Sequence, residues 1–345
     1  MSTLERLATI YSECVKEFND RTRCGAAFEI REIYSPDRGA CGNADDTLLV
    51  RGENLDYMNY LLDEKGMKGS IQLIYADPPF YSRGKYEAVV KVDGEKVKIP
   101  AYDDKWTEGI EAYLRMMCIR LMYMRELAAD TGYVCIHLDW HVVHYVKVLA
   151  DEIFGSENFL NEIIWTYKSG GSSKKSFARK HDTLLLYRMT ENNYFEPQKE
   201  KSYNREMKPY RFKDVEEYED EKGWYTLVNM KDVWEIDMVG RTSSERTGYA
   251  TQKPEALLKR LIKSCTKPGD LCADFFGGSG VMAAAAADLD RKSILCDIGK
   301  TAAAFQRKRL KENGISYTYM EEENCCGPDD GEVPEEILEK LIKGE

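Results

Sequence analysis

The stretch Ile71-Gln-Leu-Ile-Tyr-Ala-Asp77-Pro78-Pro79-Phe80 constrains the fold more than any other part of the chain. The apolar, β-leaning run from Ile71 to Ala76 reads as a buried strand. Two consecutive prolines stop it, because each lacks a donor N–H and fixes φ. Asp77 is therefore expected at the carboxyl end of a strand, the place where open α/β sheets bind ligands. A stiff backbone and the ring of Phe80 follow, which suits a flat, amine-bearing substrate.

Other apolar runs read as strands at 47–50, 133–138, 161–167, 183–187, 271–276 and 293–296. Helical spacing appears at 4–18, 108–130, 141–154, 254–266, 281–289 and 300–312. Their alternation predicts an α/β fold with a doubly wound, mostly parallel, Rossmann-like sheet. Residues 1–46 read as an N-terminal helix followed by a Gly/Asp/Asn/Pro-rich linker. Residues 81–107 read as a long loop with a hairpin around Asp93-Gly94. The segment 190–235 is polar and Tyr-rich, an insert between two parts of the sheet domain at 47–189 and 236–320. The tail 321–345 is acidic and is expected to be a loosely attached short helix or disordered.

A chain of 345 residues can bury one large core or two smaller ones. No run approaches the ~20 apolar residues of a membrane span. The N-terminus lacks a basic-then-apolar leader pattern, so a cytoplasmic protein with no membrane partner is expected. Ten cysteines are scattered without a CxxC pair, which argues against a zinc ribbon and a disulfide framework. His137, His141 and His144 lack a fourth ligand, so no metal site is expected.

Net charge is −11, awkward for a nucleic-acid binder. The tail, with ten acids and two lysines, carries −8 of it, and only −3 remains for the rest. Within that remainder, 168–180 holds Lys168, Lys174, Lys175, Arg179 and Lys180 and no acid. Such a loop can contact phosphates. His181-Asp182 directly after it reads either as a turn at the start of a strand or as packing near the substrate.

A second strand end is marked by Asp274-Phe275-Phe276-Gly277-Gly278-Ser279-Gly280, which leaves a strand and enters a helix. Glycines there let a ligand approach the backbone, and the helix start favours a carboxylate or phosphate. Asp297 ends the next strand, where an acid can hold ribose hydroxyls. No Gly-Lys-Ser/Thr follows the glycines, which disfavours a Walker-type phosphate loop.

Asp77-Pro-Pro-Phe80 together with Phe276-x-Gly-x-Gly280 resembles the signature pair of amino-group DNA methyltransferases. The target-amine motif precedes the cofactor motif, which is similar to the circularly permuted β group, including type III modification subunits. Arg51-Gly-Glu-Asn-Leu55, Asn161-Glu-Ile-Ile-Trp165, Arg179-Lys-His-Asp-Thr183 and Glu245 to Glu255 resemble further blocks of that family in order. The resemblance implies S-adenosylmethionine as cofactor, double-stranded DNA as substrate and a base flipped from the duplex. It assigns Asp77, Pro78, Pro79 and Phe80 to the target amine, and residues 274–280 and Asp297 to the cofactor. It makes Gln252, Lys253 and Pro254 the block that closes over the cofactor's other side, and 190–235 a short target-recognition insert. It leaves a homodimer, or a specificity or restriction partner subunit, open. Carbon-5 cytosine methylation would need a Pro-Cys nucleophile motif, which is absent. In this family Asp at the first motif position goes with adenine N6 and Ser more often with cytosine N4. Adenine is thus expected, with cytosine N4, or a subunit of a larger defence complex, as alternatives.

Overall fold

The computed structural model describes residues 3–21, 25–36, 43–169, 173–327 and 333–344. Parts of the expected linker (37–42) and tail (328–332), and Cys24 and Cys41, lie outside the described residues. The strands are β1 (Phe28–Tyr34), β2 (Thr47–Arg51), β3 (Ile71–Ala76), β4 (Lys85–Val92), β5 (Glu95–Asp103), β6 (Ala128–Leu138), β7 (Phe159–Thr166) and β8 (His181–Arg188). After them come β9 (Lys199–Tyr203), β10 (Tyr218–Asp220), β11 (Gly223–Asn229), β12 (Val233–Glu235), β13 (Leu271–Asp274), β14 (Lys292–Asp297) and β15 (Tyr317–Glu322). The helices are α1 (Thr3–Asn19), α2 (Asn54–Asp63), α3 (Ile110–Leu127), α4 (Val143–Phe154), α5 (Glu255–Cys265), α6 (Val281–Ala287), α7 (Lys300–Glu312) and α8 (Glu335–Lys343).

Ten strands form one sheet in the order β1-β15-β2-β14-β13-β3-β6-β8-β7-β12. Six of its nine pairings are parallel, as the alternation of strands and helices requires. Every residue of β3 is buried, the mark of a strand covered on both faces. One face is covered by α1 to α4, the other by α5, α6 and part of α7. The alanines of α6 are all buried, so a helix of small side chains lies close against the sheet. Cys135 and Cys296 are core residues, as expected.

From β13 the chain continues to β14 on one side, and from β3 to β6 on the other. The boundary between β13 and β3 is thus the switch point of the sheet, where a crevice opens at the carboxyl edge. Asp274 pairs with Tyr75, and Ala76 with Ile136, so Asp274, Asp77 and His137 stand at neighbouring strand ends. β8 is antiparallel to both neighbours, which brings its first residues, and the last residues of β7, to that same edge.

Three expectations change. Residues 28–34, partly placed in a linker, form edge strand β1, antiparallel to β15. The segment 81–107 is mostly the two-stranded hairpin β4–β5, with Asp93-Gly94 at its turn as expected. Its approach depends on Gly248 (φ +101), whose carbonyl accepts from Val89 N–H at 3.0 Å; a Cβ there would lie 2.2 Å from the Val89 oxygen. Of the acidic tail, residues 321–322 end β15, and α8 is the short helix expected but is docked, burying Leu338 and Leu341 against β4 and α7. Acids at 335, 336 and 339 face solvent and mask the apolar stripe in the composition. The insert 190–235 forms a small sheet β10-β11-β9, and its last three residues join the main sheet as β12.

Leu341, 1% exposed, tests the docking of this helix. Leu341→Ala is expected to cost about 2–4 kcal/mol, read as a lower denaturant midpoint at unchanged slope. An unchanged midpoint would show that the helix contributes nothing to the core.

Candidate active site

A cavity of about 320 Å³ lies over the switch point. Asp77, Pro78, Pro79 and Phe80 line one side, and Asp274 to Ser279 with Asp297 line the other. Gln252 and Lys253 close it from the segment before α5. Of the residues expected around a cofactor, Gly280 and Pro254 are not among those lining the cavity.

The Lys253 Nζ lies 2.7 Å and 2.5 Å from the two carboxylate oxygens of Asp77. Lys253 is 7% exposed. The resemblance put this lysine on the cofactor side, whereas its ammonium sits on the carboxylate of the other motif. A carboxylate has about four acceptor positions. The lysine occupies two, and Asp77 lines the cavity.

Behind Asp77, His137 is fully buried. Its Nδ1 is 2.6 Å from the Tyr75 hydroxyl and 3.8 Å from Asp77, and its Nε2 is 3.3 Å from Asp182. The Tyr167 hydroxyl donates to the other Asp182 oxygen at 3.1 Å. Burial opposes ionisation of Asp182, but hydrogen bonds from His137 and Tyr167 and the Lys253 charge outweigh it and hold the carboxyl below its usual range. Phe80 lies 5.6 Å from the His137 ring and 5.0 Å from the Lys253 ammonium. The histidine thus braces the floor of the cavity. Among the described residues no group of His, Cys, Asp and Glu is arranged for a metal ion.

On the other side, Asp274 is buried and accepts from Phe276 N–H at 2.9 Å. Burial pushes its carboxyl well above the usual range. Asp297 accepts from Gly278 N–H at 2.8 Å and Gly299 N–H at 2.9 Å. Gly278 (φ +43) faces the cavity, while a Cβ at Gly277 would lie 2.7 Å from the Gln306 amide and one at Gly280 3.1 Å from the Gln306 Cα. Two of the three glycines therefore permit close packing of the turn on α7 as well as ligand approach.

Sequence reasoning missed several lining residues. Asn54 donates to the Phe275 carbonyl at 2.7 Å, and Arg120 reaches Asn54 at 2.6 Å and Glu53 at 2.5 Å. Glu53 and Asn54 lie in a block already noted, but nothing marks Arg120 inside its helix. Tyr86 and Tyr102, stacked at 4.7 Å on the hairpin, form another wall.

The basic residues lie on the loop from β7 to β8. Lys168 is 3.6 Å from Asp237, Lys180 donates to the Lys168 carbonyl, and Lys174 and Lys175 are exposed. The Arg179 guanidinium lies 3.7 Å from the centre of the Trp140 ring. His181 is exposed at the start of β8, while Asp182 beside it is buried.

Residues 71–307 match the N6/N4 methyltransferase family model, described as a DNA methylase. The chain is 28% identical over 279 residues to the type II methyltransferase M2.DpnII of Streptococcus pneumoniae, covering 78% of this chain and 91% of that one. It is 26% identical over 156 residues to the type III restriction-modification enzyme EcoP15I Mod subunit of Escherichia coli, covering 41% of this chain and 24% of the Mod subunit. Its fold is similar to that of PvuII DNA methyltransferase (cytosine-N4-specific), with a TM-score of 0.53 at 14% identity over 88% of this chain and 97% of that one. With both motif-bearing strand ends inside the matched span, the chain belongs to the N6/N4 DNA methylase family and is an S-adenosylmethionine-dependent DNA methyltransferase.

Proposed function

We propose that the chain methylates the N6 amine of adenine in double-stranded DNA, taking the base out of the duplex into the cavity at Asp77. The observation that carries this reading is the Asp77 carboxylate, held by Lys253 at a strand end and facing the same cavity as Asp274 and the glycine turn. Adenine is favoured over cytosine because the first motif position is Asp. The six cations Lys168, Lys174, Lys175, Arg179, Lys180 and, when protonated, His181 are assigned to the DNA backbone. The insert 190–235 is assigned to target recognition. It is small, about 45 residues, so a second copy or a partner subunit is expected to complete recognition. A relative that bears the name of a restriction-modification subunit supports that expectation.

The exocyclic amine of a nucleobase is a poor nucleophile, because its lone pair is delocalised into the ring. Two acceptors aimed at its N–H bonds favour a pyramidal nitrogen with a localised lone pair. The free positions of the Asp77 carboxylate and the Pro78 carbonyl are assigned as those acceptors. Lys253 keeps the carboxylate from rotating, and Phe80 stacks on the base. S-adenosylmethionine, when bound, supplies a methyl group on a sulfonium. Asp274, residues 275–279 and Asp297, with Gln252 across the cavity, are assigned to hold it. Holding donor and acceptor in line accounts for much of the rate, a contribution of ~7–11 kcal/mol in favourable cases.

Three measurements test this. Mass spectrometry of hydrolysed DNA from cells expressing the chain is expected to show N6-methyladenine, and 4-methylcytosine in its place would overturn the assignment. Asp77→Ala is expected to lower methyl transfer by ~10³-fold or more while cofactor affinity, by calorimetry, stays within a few-fold. Loss of cofactor binding would remove the role given to Asp77. The third concerns pH. The raised Asp274 group is protonated, and neutral, below its folded-state range. A cationic cofactor selects the ionised form, so affinity should rise as pH rises through that range, with up to one proton released on binding. Asp274→Asn should abolish the proton release, and a pH-independent affinity in the native chain would refute the assignment.

A further inference from the structure

We propose that Phe177 is the wedge that enters the DNA stack beside the target nucleotide and keeps the flipped base from returning; this rests on the base-flipping reading above. Phe177 is 99% exposed, the most exposed large apolar side chain among the described residues. Of the other exposed apolar side chains, Ile30 and Ile33 lie on edge strand β1 and Phe212 in the insert, and Trp140 on the same rim is stacked against Arg179. Phe177 stands in a run of cations free of acids, with Lys174 and Lys175 before it and Arg179 and Lys180 after it, whereas Phe212, between Arg211 and Lys213, is followed by Asp214, Glu216 and Glu217. An aromatic ring on a phosphate-binding loop has a ready apolar partner in the face of a base pair, which is how minor-groove proteins insert wedges between base steps.

Topology decides where that ring stands. β7 runs with β6 and β8 against it, so the loop between β7 and β8 rises from the carboxyl edge that holds Asp77. Asp182 ties the far end of the loop to His137, and His137 neighbours Asp77. Five residues separate Phe177 from Asp182, a span of at most about 17 Å. The loop has its own order. The Ser173 hydroxyl accepts from the backbone N–H groups of Lys175 and Ser176 at 3.2 Å and 3.1 Å, and Arg179 is stacked on Trp140. Phe177 lies between these two anchored points, its ring in solvent. Trp140 follows β6 directly, so the loop rests on the same rim.

A wedge lowers the cost of leaving a base unpaired, and that cost is smallest where the base has no partner. The test uses the full chain and two duplexes carrying the motif found by modified-base sequencing. One is fully paired and the other lacks the base opposite the target. Phe177→Ala is expected to lower kcat/KM on the paired duplex by roughly tenfold or more, and to recover to within about threefold of the native chain on the gapped one. Phe177→Leu, which keeps an apolar wedge, should retain most activity on both. Cofactor affinity should be unchanged in both variants. Equal loss on both duplexes would assign Phe177 to docking or folding and overturn the wedge, as would Phe177→Ala activity equal to native. A native chain that methylates neither duplex would overturn the methyl-transfer reading on which the wedge rests.

Discussion

The parallel pairing of β13, β3 and β6 is the constraint on which the rest depends. It sets Asp274, Asp77 and His137 at the ends of adjacent strands, the strands themselves lying about 4.8 Å apart. Pro78 and Pro79 end the ladder at that point, because neither can donate to a neighbouring strand. The backbone must leave the sheet there, and the crevice at the switch point opens beside it. Both motifs then face one cavity although 197 residues separate Asp77 from Asp274 in the chain. Chain order does not enter, which is why a permuted order of motifs can build the same edge.

The Asp77–Lys253 pair joins these two parts of the chain across the cavity. Its Coulombic gain is set against the loss of water around both charges, and for buried pairs the two nearly cancel. The pair is therefore poor evidence for stability. Its geometry, two contacts from one ammonium to both carboxylate oxygens, fixes an orientation instead. Lys253 immediately precedes Pro254, at the start of α5, whose Leu257, Leu258 and Leu261 are anchored in the core. The ammonium is thus carried by a rigid element, which a positioning role requires. Asp182 and His137 support the same carboxylate from behind.

The parts of this arrangement legible in the sequence are those set by local rules. Prolines stop β3, glycines mark the turn after β13, and Asp93-Gly94 closes the hairpin. The parts that were not legible depend on partners far away in the chain. Strand β1 carries Glu29, Arg31 and Glu32, and only pairing with β15 makes it a strand. Helix α8 hides two buried leucines among acids. The histidines invited a metal reading, yet His137 is explained by a register that sets it beside Asp77, and register cannot be counted from spacing. The resemblance placed Lys253 in the block closing over the cofactor; its ammonium lies on the Asp77 carboxylate, in the same cavity as the glycine turn.

The charge of the chain limits how it can engage DNA. At −11 overall, long-range attraction is weak, and over distances beyond a Debye length of about 8 Å the acids and bases are screened alike. On the proposed reading, binding is carried by short-range contacts where the cations are concentrated. That place is the loop between β7 and β8, which the antiparallel turn of β8 delivers to the carboxyl edge. Much of the negative charge sits on the tail, where α8 packs on the hairpin and α7 rather than on β7 or β8. The acids of α8 and the bases of the loop therefore occupy different parts of the fold. An acidic protein can present a basic edge at its reaction site because the sheet, and not the average composition, decides which loops share it.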